Sequence, residues 1–129
     1  MLRILNSQTR QKEDFKPLNA GRVTMYTCGP TVYDSLHLGH ARAAITPDVV
    51  RRYLEYKGHQ VRYVTNFTDV DDKIIKRAIT EGRDWREITA LYMDEFHRVM
   101  LSLNVKPAEI GSFPIGAIFG SGWRSRAPP

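Results

Sequence analysis

Disulfides are excluded at once, because the 129 residues contain a single cysteine, Cys28. One cysteine has no intramolecular partner, which fits a reducing compartment and leaves its thiol for metal ligation or chemistry. No stretch reaches the roughly eighteen consecutive apolar residues of a membrane span, and the opening "MLRILNSQTRQKEDF" lacks the apolar core of a signal peptide. Neither membrane insertion nor secretion is expected, and a cytoplasmic location is. Internal repeats are absent too. The formal charge of +5 favours polyanions such as RNA or nucleotides, yet the basic residues are scattered, and a solvated face accounts for most of them. Acidic residues vanish after Gly111: "GSFPIGAIFGSGWRSRAPP" has no period and is rich in Gly, Pro and Ser. It reads as a flexible tail over 111–129, set against a folded region over 1–110.

What is present alternates between the strand and helix periods. "RVTMYTC" (Arg22 to Cys28) is a β-branched and aromatic run that predicts a strand ending at the cysteine. "DVVRRYLEYKG" (Asp48 to Gly58) predicts a helix stopped by Gly58, and "HQVRYVTNF" a second strand. Strand, helix and strand in this order imply a right-handed βαβ crossover. In "TDVDDKIIKRAITEG", Thr68 and Asp71 have capping-box spacing, and Asp84 and Glu87 repeat it before a longer helix with Ile88, Tyr92, Phe96, Val99 and Leu103 on one face.

Ligands of open α/β sheets bind beyond the carboxyl ends of strands, which is where "CGPTVYDSLHLGH", Cys28 to His40, lies. Free N–H groups and the dipole at a helix start favour phosphate. Gly39 admits a nucleotide close to the backbone, and His37 and His40 flank it as donors. When a carboxylate attacks the α-phosphate of ATP, donors fixed in advance stabilise the growing charge. The competing reading makes the two histidines a helix cap or surface residues and Cys28 a packing residue.

At these residues the chain resembles the N-terminal part of cysteinyl-tRNA synthetases. "MYTCGPTVYDSLHLGHAR" and "YVTNFTDVDDKIIKRA" follow that family's two signatures with "RRYLEYKG" between them, and the likeness runs from about Leu2 to Ile110. The resemblance implies an α/β fold, the class I synthetase nucleotide-binding domain with its Rossmann-like, doubly wound parallel sheet, of which residues 1–110 would be the N-terminal half. It implies activation of cysteine by ATP, with Mg²⁺, and transfer to tRNA(Cys), by a protein expected to be monomeric. Cys28 then looks like a ligand of Zn²⁺ that in turn binds the substrate thiolate, a soft pairing that a serine hydroxyl could not reproduce. Gly29, Thr31 and Thr68 fall on the amino-acid pocket, and His37, Gly39 and His40 on the ATP-binding signature, with His37 and His40 in the catalytic role. Leu38 replaces the commoner isoleucine, a conservative exchange.

Three carboxylates, Asp69, Asp71 and Asp72, invite a magnesium site, but acids in a first helical turn are stabilised by the dipole without a metal. Pro47 predicts that the helix either restarts with Thr46 as N-cap or kinks. The family's other zinc ligands and its Lys-Met-Ser-Lys-Ser signature do not occur in the 129 residues. His59, on a turn, and His97, on a helix face remote in sequence, read as surface histidines rather than replacements. Two alternatives accompany the tRNA ligase: the cysteine-activating ligase of mycothiol-type thiol biosynthesis, separable by acceptor assays, and a non-catalytic fragment.

Overall fold

The computed structural model describes residues 2–108 and 110–114. Two sheets are present among them. The strands Arg3–Asn6 (β1) and Gln11–Asp14 (β2) form an antiparallel hairpin. Arg22–Thr27 (β3), Gln60–Phe67 (β4) and Ile110–Pro114 (β5) form a parallel sheet in the order β3-β4-β5. Helix Leu38–Tyr56 (α1) joins β3 to β4, and helices Asp72–Glu81 (α2) and Trp85–Ser102 (α3) join β4 to β5.

The expected strand-helix-strand unit is present, with Arg22 opposite Gln60 and Thr27 opposite Thr65 in parallel register. Burial on β4 explains its sequence: Val61 and Tyr63 alternate with exposed Gln60 and Arg62, whereas Asn66 and Phe67 at its carboxyl end are both buried. Val23, Leu54 and Val61 make one apolar cluster, against which Leu2 and Phe15 of the hairpin region pack. Val32, Phe67, Ala78, Ile88 and Tyr92 make the other, beneath α2 and α3. Among the described residues Phe67, Ile74 and Ile88 are the most deeply enclosed large side chains, each stabilising the fold by about 1.5–3 kcal/mol through burial.

Helix α1 starts well before the sequence expectation, at Leu38, and runs through Pro47 with no second cap. Proline removes one N–H from the ladder; immediately before it, the Thr46 hydroxyl donates to the Arg42 carbonyl at 2.8 Å. The helix is held from outside as well. Asp48 is buried, accepting from Arg52 at 2.7 Å and from the Lys106 backbone N–H at 3.1 Å. Buried Arg51 donates to the Pro107 carbonyl at 2.7 Å, and Lys106 pairs with Glu55. These charges strap the segment after α3 across α1.

The start of α2 also differs from expectation. Asp71, not Thr68, is its N-cap, accepting from the Lys73 N–H at 2.8 Å. Thr68 is still paired as in a strand: its N–H donates to the Pro30 carbonyl at 3.0 Å, and its carbonyl accepts from Val32 at 3.2 Å. Asp84 caps α3 as its spacing predicts, with the Arg86 N–H at 2.7 Å. Strand β5 is a further difference. Its residues 111–114 belong to the stretch read as a flexible tail, yet Ile110 lies opposite Val64 and Phe113 opposite Asn66 in the sheet. The rest of that reading, over 115–129, falls outside the described residues.

Candidate active site

The carboxyl ends of β3 and β4 lie side by side, and both connections to the following helices leave from there. After Thr27 and Thr65 the ladder stops, then resumes as an isolated parallel bridge between Thr31 and Thr68. Two residues far apart in sequence are thereby brought together. Between ladder and bridge the Cys28–Pro30 segment crosses the end of β4 at very close range. A Cβ on Gly29 would lie 1.6 Å from the Asn66 carbonyl oxygen, so no other residue fits there without moving backbone.

The rest of the loop is fixed by two helices that the motif itself does not include. Arg77 of α2 donates to the Tyr33 carbonyl at 2.9 Å and pairs with Asp34 at 2.7 Å. The hydrogen bond from Arg77, reinforced by the Ser35 N–H, holds the Asp34 carboxyl below its ordinary pKa. Glu95 of α3 accepts from the Leu36 N–H at 3.0 Å.

His37 and His40 then begin α1 as a reciprocal cap. His37 Nδ1 accepts from the Gly39 N–H at 3.0 Å, and His40 Nδ1 accepts from the His37 N–H at 3.2 Å. The ring centroids are 4.1 Å apart. A nitrogen that accepts a backbone N–H carries no proton of its own, so each neutral ring keeps its proton on Nε2 and presents it as a donor. Burial, and secondarily the neighbouring His37, lowers the His40 pKa below its ordinary 6.5, which favours the neutral, capping form. Gly39 is required for the same geometry: a Cβ there would lie 2.7 Å from the His37 ring. Of the two readings of this pair, the structure shows the cap, with both Nε2 atoms taking no part in it.

A cavity of about 520 Å³ has Cys28, Gly29 and His40 on its wall together with Tyr63 and Thr65 of β4 and Phe96, His97 and Met100 of α3. The Thr27 and Tyr63 hydroxyls bond to each other at 2.6 Å, and Thr65 donates to the Thr27 carbonyl at 3.0 Å. Of the residues singled out in the sequence, Cys28, Gly29 and His40 therefore share a wall. Thr31 and Thr68 pair beside it, and His37 and Gly39 sit at the helix start. His97 is exposed, as expected of a surface histidine, and α3 also carries it onto the cavity wall, where its ring meets Phe67 edge-on at 5.6 Å. His59 stays at the opposite end of β4; its Nδ1 is buried without a hydrogen-bond partner, and its ring meets Phe15 edge-on.

Cys28 is exposed. Among the described residues no three His, Cys, Asp or Glu side chains converge into a metal-binding group, so these residues alone do not make a four-ligand zinc centre. The three aspartates of the second turn do not gather around an ion either: Asp71 caps α2, Asp72 lies in its first turn and Asp69 is buried.

A parallel sheet with a capped helix start beside a cavity at its carboxyl edge is the arrangement of an open α/β protein, in which ligands meet the carboxyl ends of strands. Residues 14–113 match the family described as "tRNA synthetases class I (C) catalytic domain", and the chain belongs to that family. It is 59% identical over 109 residues to a cysteine–tRNA ligase of Thermococcus gammatolerans, covering 84% of this chain and 23% of the relative. It is 57% identical over 107 residues to that of Lachnospira eligens, covering 83% and 23%. Against that of Pyrococcus furiosus it is 57% identical over 110 residues, covering 85% and 23%. The chain thus spans less than a quarter of the length of these curated relatives. Its backbone is similar to that of Mycobacterium tuberculosis methionyl-tRNA synthetase in complex with methionyl-adenylate, with a TM-score of 0.59 over 66% of this chain and 16% of that one, at 24% identity. That likeness shows the shared fold. No helix among the described residues is long and apolar enough to cross a membrane.

Proposed function

We propose that this chain supplies the nucleotide-binding half of a cysteine–tRNA ligase centre, with ATP and cysteine meeting between the α1 start and Cys28. The observation that carries the reading is the shared cavity wall of Cys28 and His40 in a chain of this family. The start of α1 has no acidic residue in its first turn, so although its cap takes up the His37 and Gly39 N–H groups, the positive end of its dipole is left uncompensated for a phosphate. In His37 and His40 the cap engages Nδ1 and leaves Nε2 as a donor. As the cysteine carboxylate oxygen bonds to the α-phosphorus and the bond from that phosphorus to the α,β-bridging oxygen breaks, releasing pyrophosphate, those donors stabilise the charge on the α-phosphoryl oxygens. The histidines act as electrostatic stabilisers and take no proton.

Gly29, Thr31 and Thr68 form the amino-acid side of the site, a reading supported by the Thr31–Thr68 bridge and by Gly29 on the cavity wall. Cys28 offers one thiolate to zinc, whose remaining ligands would come from outside the described residues; bound there, the metal would select a substrate thiol over a hydroxyl. Mg²⁺ accompanies ATP, tRNA(Cys) receives the activated cysteine, and the cytoplasm is the compartment that fits.

The test is a graft. Residues 1–110 of this chain replace the matching segment of the Thermococcus gammatolerans cysteine–tRNA ligase, and cysteine-dependent ATP–pyrophosphate exchange is measured. Exchange that is lost in Cys28→Ser and His40→Ala grafts is expected. A folded graft that shows no cysteine-dependent exchange, or is indifferent to both substitutions, contradicts the reading. The isolated 129-residue chain is expected to show no exchange.

A further inference from the structure

We propose that Asn66 is the positioning residue of the amino-acid end of this site, acting through Gly29 to hold Cys28 in place. The strand ladder ends at Thr27 opposite Thr65, so the Gly29 N–H has no ladder carbonyl to meet. Asn66 provides the acceptor from its side chain instead: Oδ1 accepts from the Gly29 N–H at 3.1 Å and from the Tyr26 hydroxyl at 2.7 Å. A backbone N–H only donates, so the carbonyl oxygen of the amide, and not its nitrogen, must face it.

Three features converge on this one residue. Asn66 is a buried polar residue, 9% exposed, which makes its hydrogen bonds expensive to lose. The register shift between β4 and β5 falls between Val64 and Asn66, directly before it. Its own carbonyl oxygen lies where a Gly29 Cβ would be. Asn66 therefore grips Gly29 twice, by its backbone through contact and by its side chain through a hydrogen bond. Tyr26 steadies the amide from the neighbouring strand. Removing the acceptor frees the peptide that carries Cys28 while leaving the apolar clusters intact.

The consequence for activity rests on the function proposed above, whereas the positioning does not, so the experiment reads the two apart. Amide hydrogen exchange is followed residue by residue in the full chain. Asn66→Leu is expected to speed exchange at Gly29 by about tenfold, the loss of one net hydrogen bond, with Val61 and Val64 unchanged. Asn66→Asp, which retains the acceptor, is expected to restore Gly29 protection. A general destabilising effect would move Val61 with Gly29 and would not be rescued by aspartate. If Asn66→Leu does not fold, Tyr26→Phe tests the same link, with faster exchange at Gly29 alone expected. Unchanged Gly29 exchange in the folded variants, or equal loss in Asn66→Leu and Asn66→Asp, overturns the proposal. In the graft, the same rescue should appear as a raised KM for cysteine in Asn66→Leu with the KM for ATP unmoved. A graft inactive before substitution would defeat the functional reading and leave the exchange result standing.

Discussion

Two adjacent strands end at the same edge of the sheet, and they hand over to their helices in opposite ways. From β4 the chain reaches α2 by a short turn capped by Asp71, with Asp72 in the first turn. From β3 it takes a longer path, Cys28 to His37, pinned by Arg77 and Glu95, and α1 is capped by two histidines with no acid in its first turn. An aspartate cap satisfies the helix start and fills it with negative charge. A neutral imidazole cap satisfies the same N–H groups and leaves the positive end of the dipole for a ligand. Only the second start suits a phosphate, and the difference lies in what caps the helix rather than in the helix itself.

The largest effect in this comparison is expected at Gly29. Gly29→Ala would force a Cβ to within 1.6 Å of the Asn66 carbonyl oxygen, so the two strand ends must separate, at a cost of about 3 kcal/mol or more. Urea unfolding should show a midpoint shift of that order. The cap substitutions come next. Asp71→Ala should lose about 1 kcal/mol, as should His37→Ala, each having one cap acceptor to lose. His37→Asp sharpens the contrast, since it restores a good cap and adds favourable charge to the dipole; its stability should lie within about 0.5 kcal/mol of wild type while phosphate binding falls.

The smallest effect concerns pH. His40 has its pKa lowered below 6.5 by burial and then by His37. The unfolded chain therefore takes up a proton near pH 6.5 that the folded chain declines. The stability from this group is complete above that pH, is lost as pH falls toward the lowered folded value, and is constant below it. Urea midpoints between pH 7.5 and 5.5 should decline less steeply in His40→Gln than in wild type.

Much of this contrast is legible in the sequence. β3, β4, α3 and the Asp84 cap follow from periodicity and spacing, and the Cys28–His40 stretch lies at the strand end where its residues place it. What is not legible depends on contacts distant in sequence. Pro47 argues against an uninterrupted helix from His40 onward, and it is outweighed by the histidine cap and by the strap from Asp48, Arg51 and Arg52 to the 104–107 segment. Thr68 has capping spacing, but its backbone is committed to the bridge with Thr31, so the cap moves to Asp71. The β1–β2 hairpin is almost wholly exposed and carries no apolar alternation. Strand β5 is rich in residues that disfavour strands and exists by pairing with β4. His97 reaches the cavity through the packing of α3 on Phe67, which no local pattern reports.

The measurement closest to the central claim is a titration of the chain with Mg-ATP, followed through its backbone amide resonances in wild type, His37→Asp and Asp71→Asn. The account predicts shifts centred on Leu38 to Ala41 at the α1 start, lost in His37→Asp and unaffected by Asp71→Asn. Shifts centred instead on Asp72 to Ile74, or shifts at α1 that survive His37→Asp, would contradict it.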